Sequence, residues 1–183
     1  MSYVVVLILN YNGKELLDEC LSSYLSNGYD NFDLVLIDNG SSDGSNDFVS
    51  AKFPEVIIKR IKNNRGYSGG FNVGLKFAFN TMKADYVIVS NNDVLSDKGL
   101  IEGLVETMDA NPNAGFVTGK VYWYDYNGGK NILQTVGKSF DNRKIIGDHI
   151  GIYEEDTGQY DKIQERHSCD DVFSMVRKEV YQQ

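Results

Sequence analysis

The stretch Ala84–Leu95, ADYVIVSNNDVL, decides how the rest of the chain is read. Tyr86–Ser90 is a short apolar, β-branched run, the pattern of a strand buried on both faces. It stops at Asn91, Asn92 and Asp93. Asn and Asp are common turn formers, and Ser96 or Asp97 can cap a following helix, so a plain turn explains the composition. The same residues suit a hard divalent cation. Mg2+ and its kin take oxygen ligands, often one or two carboxylates, with water and substrate phosphate supplying the rest. Asp93 is the acid of the trio and so the ligand candidate. The neighbouring loops have to choose between turn and site.

Working outward, the same event recurs. Tyr3–Leu9 (YVVVLIL) reads as a buried strand and ends in Asn10-Tyr11-Asn12-Gly13. Leu34–Ile37 ends in Asp38-Asn39-Gly40-Ser41-Ser42-Asp43-Gly44. Val56–Ile61 ends in Asn63-Asn64-Arg65-Gly66. Between these runs, apolar residues return at helical spacing: Leu17, Cys20, Leu21 and Tyr24; a short segment Ser45–Lys52; Gly70–Met82; and Ile101, Leu104, Val105 and Met108. Gly115–Trp123 reads as a fifth strand. Alternating strand and helix predicts an α/β fold with a mostly parallel sheet flanked by helices. Right-handed crossovers bring the carboxyl ends of parallel strands to one edge, where open sheets bind ligands. All four polar loops belong to that edge.

Past Trp123 the alternation stops. Loops are expected at Tyr124–Asn131 and Asp141–Lys144, with short antiparallel pieces at Ile132–Val136 and Ile145–Tyr153. An acidic loop follows at Glu154–Asp161, then a strand at Val172–Val176 and the opening of a helix at Arg177–Tyr181. Tyr122, Trp123, Tyr124 and Tyr126 suit either core packing, the favoured reading, or a sugar-binding cleft.

Each loop has a functional and a bland reading. Asp38, ending a strand, suits a nucleotide base N–H, a ribose hydroxyl or an Asx turn. Tyr11 suits stacking on a base or a half-exposed turn. Glycines in Asn64–Gly74 let backbone approach a phosphate and expose helix N–H groups, or serve helix–sheet packing, which is favoured for Gly74. A dinucleotide fold needs G-x-G-x-x-G after its first strand, and NYNGKE lacks it.

Bulk properties narrow the class. The chain has 183 residues, one domain's worth, with formal net charge −8, so a phosphate-tracking nucleic-acid binder is excluded. Two cysteines, Cys20 and Cys169, lie far apart, without metal or redox spacing. His149 and His167 have no metal-motif context and are expected at the surface. No run is long enough to span a bilayer and no signal peptide is visible. On these features a cytoplasmic chain is expected.

Taken together, VVLILNYNGKELLDECLSS, LVLIDNGSSDGS, NNRGYSGGFNVGLKFA, DYVIVSNNDV and SMVRKEVY resemble the family 2 inverting glycosyltransferases with the GT-A fold, nearest the rhamnosyltransferase-like branch that builds bacterial surface polysaccharides. The likeness is strong from Tyr3 through Met108 and loose from Tyr124 to Arg166. It implies a single GT-A (Rossmann-like) domain over residues 1–183, with a nucleotide-sugar-binding part at 1–123 and an incomplete acceptor-side part at 124–183. It implies nucleotide-binding roles for Asn10, Tyr11, Asn12, Asp38, Asn39, Ser41, Asn64, Gly66, Gly69, Gly70, Asn72, Asn91 and Asn92. The D-x-D-type metal motif falls on Asn91-Asn92-Asp93, with its first acid replaced and Asp93 kept to hold Mg2+ or Mn2+. The implied partners are a nucleoside-diphosphate-sugar donor and a saccharide or lipid-linked saccharide acceptor, met in the cytoplasm or at the inner face of the membrane.

Two departures stand out. Asp170 and Asp171 occupy a place where such proteins usually carry a small Gly- or Ser-containing turn. The catalytic base of the family follows the helix that Arg177–Tyr181 would begin, so it is expected beyond Gln183, in a longer enzyme of which this is the amino-terminal part. Asp170 and Asp171 are weaker substitutes for it, and this chain is expected to transfer little sugar. A non-catalytic nucleotide-sugar-binding module and a nucleotidyl- or dinucleotide-dependent enzyme are the alternatives.

Overall fold

Strand β1 (Val4–Asn10) runs through the middle of the sheet, and that position explains its unbroken apolar sequence. The computed structural model describes residues 1–129, 131–141 and 146–181. β1 pairs in parallel with β2 (Phe32–Asp38) on one side and β4 (Tyr86–Asn91) on the other, and β3 (Ile57–Arg60) adds in parallel to β2. Val4, Val6 and Ile8 face helices α1 (Lys14–Leu25) and α4 (Leu100–Ala110), packing on Leu17, Leu21, Tyr24, Ile101 and Met108. Val5 and Leu7 face the other way, toward α3 (Gly66–Lys76), whose last turns widen into a π-helical segment, Phe77–Met82. Both faces of β1 are therefore covered, and an alternating sequence would have put polar groups into one of two cores.

The full sheet order is β3-β2-β1-β4-β10-β5. β10 (Phe173–Arg177) is antiparallel to β4, and β5 (Phe116–Val117) is antiparallel to β10. The expected α/β, mostly parallel, GT-A-like sheet is what forms. The expected fifth strand, Gly115–Trp123, is instead divided. Thr118 Oγ1 donates to Phe173 O at 3.0 Å, and Gly119 packs against the Phe173 ring, so the chain leaves the sheet there. Its second half becomes β6 (Val121–Tyr122), paired with β7 (Leu133–Thr135). β8 (Lys138–Asp141) and β9 (Ile146–His149) form a further antiparallel pair. Of the pairing expected between Ile132–Val136 and Ile145–Tyr153, only the end of the second piece joins the first, through Val136 N–H to Ile150 O (3.0 Å) and Tyr153 N–H to Leu133 O (2.9 Å); Ile146–His149 pairs with β8 instead. The remaining elements are α2 (Ser45–Lys52) and a last turn, α5 (Lys178–Tyr181). Most of the loop expected at Asp141–Lys144, and Gln183, lie outside the described residues.

The distal region is held by polar clamps more than by core. Lys120 Nζ bridges Asp156 (2.7 Å) and Asp161 (2.5 Å), and the Tyr122 hydroxyl also donates to Asp156. Those bonds, from Lys120, Tyr122 and the Gly158 N–H in that order, pull the Asp156 carboxyl down to about 2. Trp123 and Tyr153 stack nearly parallel, with Tyr126 tilted beside them, outside the two main cores, while Tyr124 is exposed. Cys20 is buried and Cys169 partly so, and both are free thiols. His167 is exposed, as expected, but His149 is half-buried, with Nδ1 2.9 Å from Asp170 Oδ2.

Candidate active site

The ends of β1, β2 and β4 emerge in register, Asn10 beside Asp38 and Leu9 beside Asn91, so their loops share one edge of the sheet. A cavity of about 440 Å³ opens there, within the range of small-ligand sites. Tyr11 from the β1 loop, Asn39 from the β2 loop, Asn64 and Gly66 from the β3 loop, and Asn91, Asn92 and Asp93 from the β4 loop all line it. Leu9 forms part of the wall, and Tyr67 and Asp171 complete it. Leu9 reads as strand core in the sequence. Tyr67 carried a signal, an aromatic ring within a glycine-rich loop.

The loops are stitched to one another by side chains. Asn10, fully buried, donates through Nδ2 to Ser41 Oγ (3.3 Å) and accepts through Oδ1 from Asn92 Nδ2 (2.8 Å). Asn12 takes a left-handed conformation (φ 52°), which Asn tolerates, and bonds both ways: its N–H to Ser41 Oγ, its Oδ1 from Ser42 N–H. Asn39 donates to Asn64 Oδ1 and Gly66 O and accepts from the Arg65 N–H. Gly40 (φ 89°) lets the β2 loop pass the β3 loop. A Cβ there would lie 3.0 Å from Asn64 N and 3.1 Å from Asn63 C, both backbone.

Several residues singled out in the sequence support the wall rather than line it. Asp38 is completely buried. Its Oδ1 accepts from Ser41 N–H (2.9 Å), its Oδ2 accepts from Asn46 Nδ2 (2.5 Å), and Arg60 Nε stands 3.4 Å away. Its carboxylate thus orders the β2 loop and faces α2. Asn10 and Ser41 are buried beneath the rim as loop ties, and Asn12 is exposed but outside the described wall. Gly70 packs directly on the Leu9 side chain, and Gly74 on Leu7 and Ile37, the helix–sheet contact expected of Gly74. Gly69 lies against Arg65 Cβ, and Asn72 is exposed on α3 away from the wall.

The described wall carries two carboxylates, Asp93 and Asp171, and no Lys, Arg or His. Asp93 is exposed and accepts no hydrogen bond among the described residues. Its oxygens, with the amide oxygens around it, are a donor set fit for a hard divalent ion that keeps some ligand positions for water or phosphate. The first turn of α3 meets the rim at Gly66 and Tyr67; the Gly66 N–H is taken by Asn64 Oδ1 (2.7 Å), and the N–H groups after it and the helix dipole favour an anion.

On the β10 side, Tyr67 Oη donates to Asp171 O at 2.7 Å, across 104 residues of sequence, and its ring meets Phe71 edge-on. Burial first, then Asp171, Asp170 and Asp93, push this phenol up to about 12, so it stays a donor. Asp170 is buried below the wall, 2.9 Å from His149 Nδ1 and 3.4 Å from Lys138 Nζ, and its Oδ1 accepts the Asp171 N–H at 2.8 Å. Although burial raises it, bonds from Asp171 and the Lys138 ammonium hold Asp170 below the usual carboxylate range. Asp171 is held above that range, by Asp170 foremost and then by burial.

A family model described as glycosyl transferase family 2 matches residues 5–183. The chain belongs to that family. It is 26% identical over 140 residues to the glycosyltransferase GlyG of Streptococcus pneumoniae serotype 4, covering 75% of this chain and 45% of that protein. It is 27% identical over 118 residues to the poly-beta-1,6-N-acetyl-D-glucosamine synthase of Staphylococcus aureus, covering 63% and 28%. This glycosyltransferase chain therefore spans less than half the length of these relatives. Among solved structures, the mannosyltransferase PcManGT of Pyrobaculum calidifontis, in complex with GDP-Man and Mn2+, aligns with TM-score 0.59 at 22% identity, over 67% of this chain and 36% of that one. TarS 1–349 of S. aureus, in complex with UDP-GlcNAc, aligns with TM-score 0.60 at 17% identity, over 75% and 39%. At such identities the structures establish the shared fold.

Proposed function

We propose that this chain is the donor-binding part of an inverting, divalent-metal-dependent glycosyltransferase. It moves a sugar from a nucleoside diphosphate to the hydroxyl of a saccharide or lipid-linked saccharide in surface polysaccharide synthesis. It works in the cytoplasm, at the inner face of the membrane where a lipid-linked acceptor is met. The observation that carries this reading is the cavity itself, lined by Asp93 and lacking any basic side chain on its described wall. A pyrophosphate facing the Asp93 carboxylate, with no basic side chain on the described wall, needs a cation between them. Solved neighbours with GDP-Man and Mn2+ or with UDP-GlcNAc support the same chemistry.

Each group of residues then has a task. The Tyr11 ring offers a face for a nucleobase, and Asn64, held by Asn39 through its Oδ1, offers its amide N–H groups to the base edge. The start of α3 offers N–H groups to phosphate oxygens. A divalent cation held by Asp93 would supply Lewis-acid stabilisation to the departing diphosphate. Asn92, tied to Asn10, fixes the turn that presents Asp93.

A thermal-shift series tests this. UDP, GDP and dTDP are each added with Mn2+, with Mg2+ and with a chelator, and NAD serves as control. One nucleoside diphosphate should stabilise the chain only with the metal, by about 2.7 kcal/mol at a hundredfold excess over Kd. Stabilisation that ignores the metal, or that NAD alone produces, refutes the reading.

A further inference from the structure

Asp171 and Tyr67 have no task in the reading above, yet both stand on the cavity wall. The order of strands along the sheet edge suggests one. From one end, the wall passes from the β3 loop (Asn64, Gly66) to the β2 loop (Asn39), the β1 loop (Tyr11), the β4 loop (Asp93) and finally the entry to β10 (Asp171). The aromatic face and the amides lie on the β1–β3 side, the metal-binding carboxylate comes next, and Asp171 lies one strand beyond. Strands repeat every ~4.8 Å, so β2 to β10 spans roughly 14 Å. A ligand laid along this edge with its base at β2 and its diphosphate at Asp93 carries its third part to β10.

The position is also well fixed. The Asn91 N–H bonds Val172 O at 3.1 Å, continuing the β4–β10 ladder to the residue beside Asp171. Asp170, near Lys138 Nζ and His149 Nδ1, holds the Asp171 N–H from below, and Tyr67 Oη holds the Asp171 carbonyl from the α3 side. These bonds occupy the backbone of Asp171, and its carboxyl, beside that of Asp170, stays exposed at the wall.

Resting on the function proposed above, we propose that the Asp171 carboxyl reads the hydroxyl groups of the donor sugar and that Tyr67 and Asp170 position it, making this corner the sugar-specificity element of the site. A carboxyl group that accepts from hydroxyls favours a polyhydroxylated, uncharged sugar and disfavours a uronic acid. The adjoining Asp93 adds to that discrimination.

The test compares a nucleoside diphosphate with its sugar form, so that binding of the sugar alone is isolated. Titration calorimetry in Mn2+ uses UDP with UDP-GlcNAc, GDP with GDP-mannose, and dTDP with dTDP-glucose, on the wild type and on Asp171→Ala, Asp171→Asn and Tyr67→Phe. Asp171 is exposed, and far-UV circular dichroism with melting temperature reports that the variants are folded. For the best pair, Asp171→Ala should weaken the sugar form about tenfold and leave the diphosphate within about twofold, the scale of one hydrogen bond to a charged group. Tyr67→Phe should weaken the sugar form severalfold, and Asp171→Asn should restore part of the loss. A wild type that gains nothing from the sugar, or variants that weaken both forms equally, overturn the assignment. Weakened Mn2+ binding in Asp171→Ala overturns it too, by making Asp171 a metal ligand. If no diphosphate binds the wild type at all, the failure belongs to the proposed function.

Discussion

Substituting Gly13 by alanine should disturb the candidate site through one hydrogen bond. A Cβ at Gly13 overlaps Asn92 Nδ2 and comes within 2.9 Å of Asn10 Oδ1. The φ there is −117°, so the backbone itself accepts alanine without strain. Asn92 is the movable partner, and moving it breaks its 2.8 Å bond to Asn10. Asn10 is fully buried, so its Oδ1 is left without that donor. An unsatisfied buried acceptor costs about 1–3 kcal/mol. For a domain of this length that is a fall in Tm of about 2–12 °C, at 2–4 °C per kcal/mol. Asn92→Ala removes the same bond by deleting the donor and should cost a similar amount. The double variant is the decisive measurement. Once Asn92 is alanine the new methyl displaces no donor and meets only Asn10 Oδ1, at 2.9 Å, so both changes together should cost little more than Asn92→Ala alone. Urea denaturation of the four proteins gives the coupling directly. Additive losses would refute the claim that Gly13 acts through the Asn92–Asn10 bond. Because Asp93 follows Asn92, both single variants should also weaken metal-dependent nucleotide binding.

Asp93→Asn should abolish the metal-dependent part of nucleotide stabilisation while changing unliganded stability by no more than about 0.5 kcal/mol, since the side chain is exposed and accepts no hydrogen bond among the described residues; a large loss of unliganded stability would make it a structural residue. Gly74→Ala should cost about 1–3 kcal/mol by overpacking, because its Cβ would stand 2.9 Å from Leu7 Cδ1 and 3.0 Å from Ile37 Cγ1, and its nucleotide affinity should be unchanged. The Asp156 carboxyl, drawn down to about 2, contributes stability that is present above the unfolded value near 4 and lost as pH falls toward 2. The stability gap between wild type and Asp156→Asn should therefore shrink over that interval in acid titrations followed by denaturant unfolding, and a gap constant with pH would count against the clamp.

The sequence by itself determined the parallel half of the sheet, because a strand covered on both faces must be apolar throughout. YVVVLIL, LVLI and YVIV are short, β-branched and apolar throughout, as such a strand requires. It determined the edge that carries the candidate site as well, since each such strand ends in an abrupt polar loop and parallel topology gathers those ends. Tertiary structure decided what local pattern does not encode. Asp38 reads either as a ligand-facing acid or as an Asx turn; its Oδ1 takes the local Ser41 N–H, while its other partners, Asn46 and Arg60, come from α2 and β3 and are brought to it only by packing. Gly115–Trp123 reads as one strand, and contact with Phe173, more than fifty residues later, divides it. Asp171 reaches the wall only because β10 adds antiparallel beside β4, and Tyr67 reaches Asp171 only across the folded edge. Strand periodicity and turn chemistry act over a few residues and survive in sequence. The direction of a polar side chain depends on partners brought in from far along the chain, and those are fixed only once the sheet is assembled.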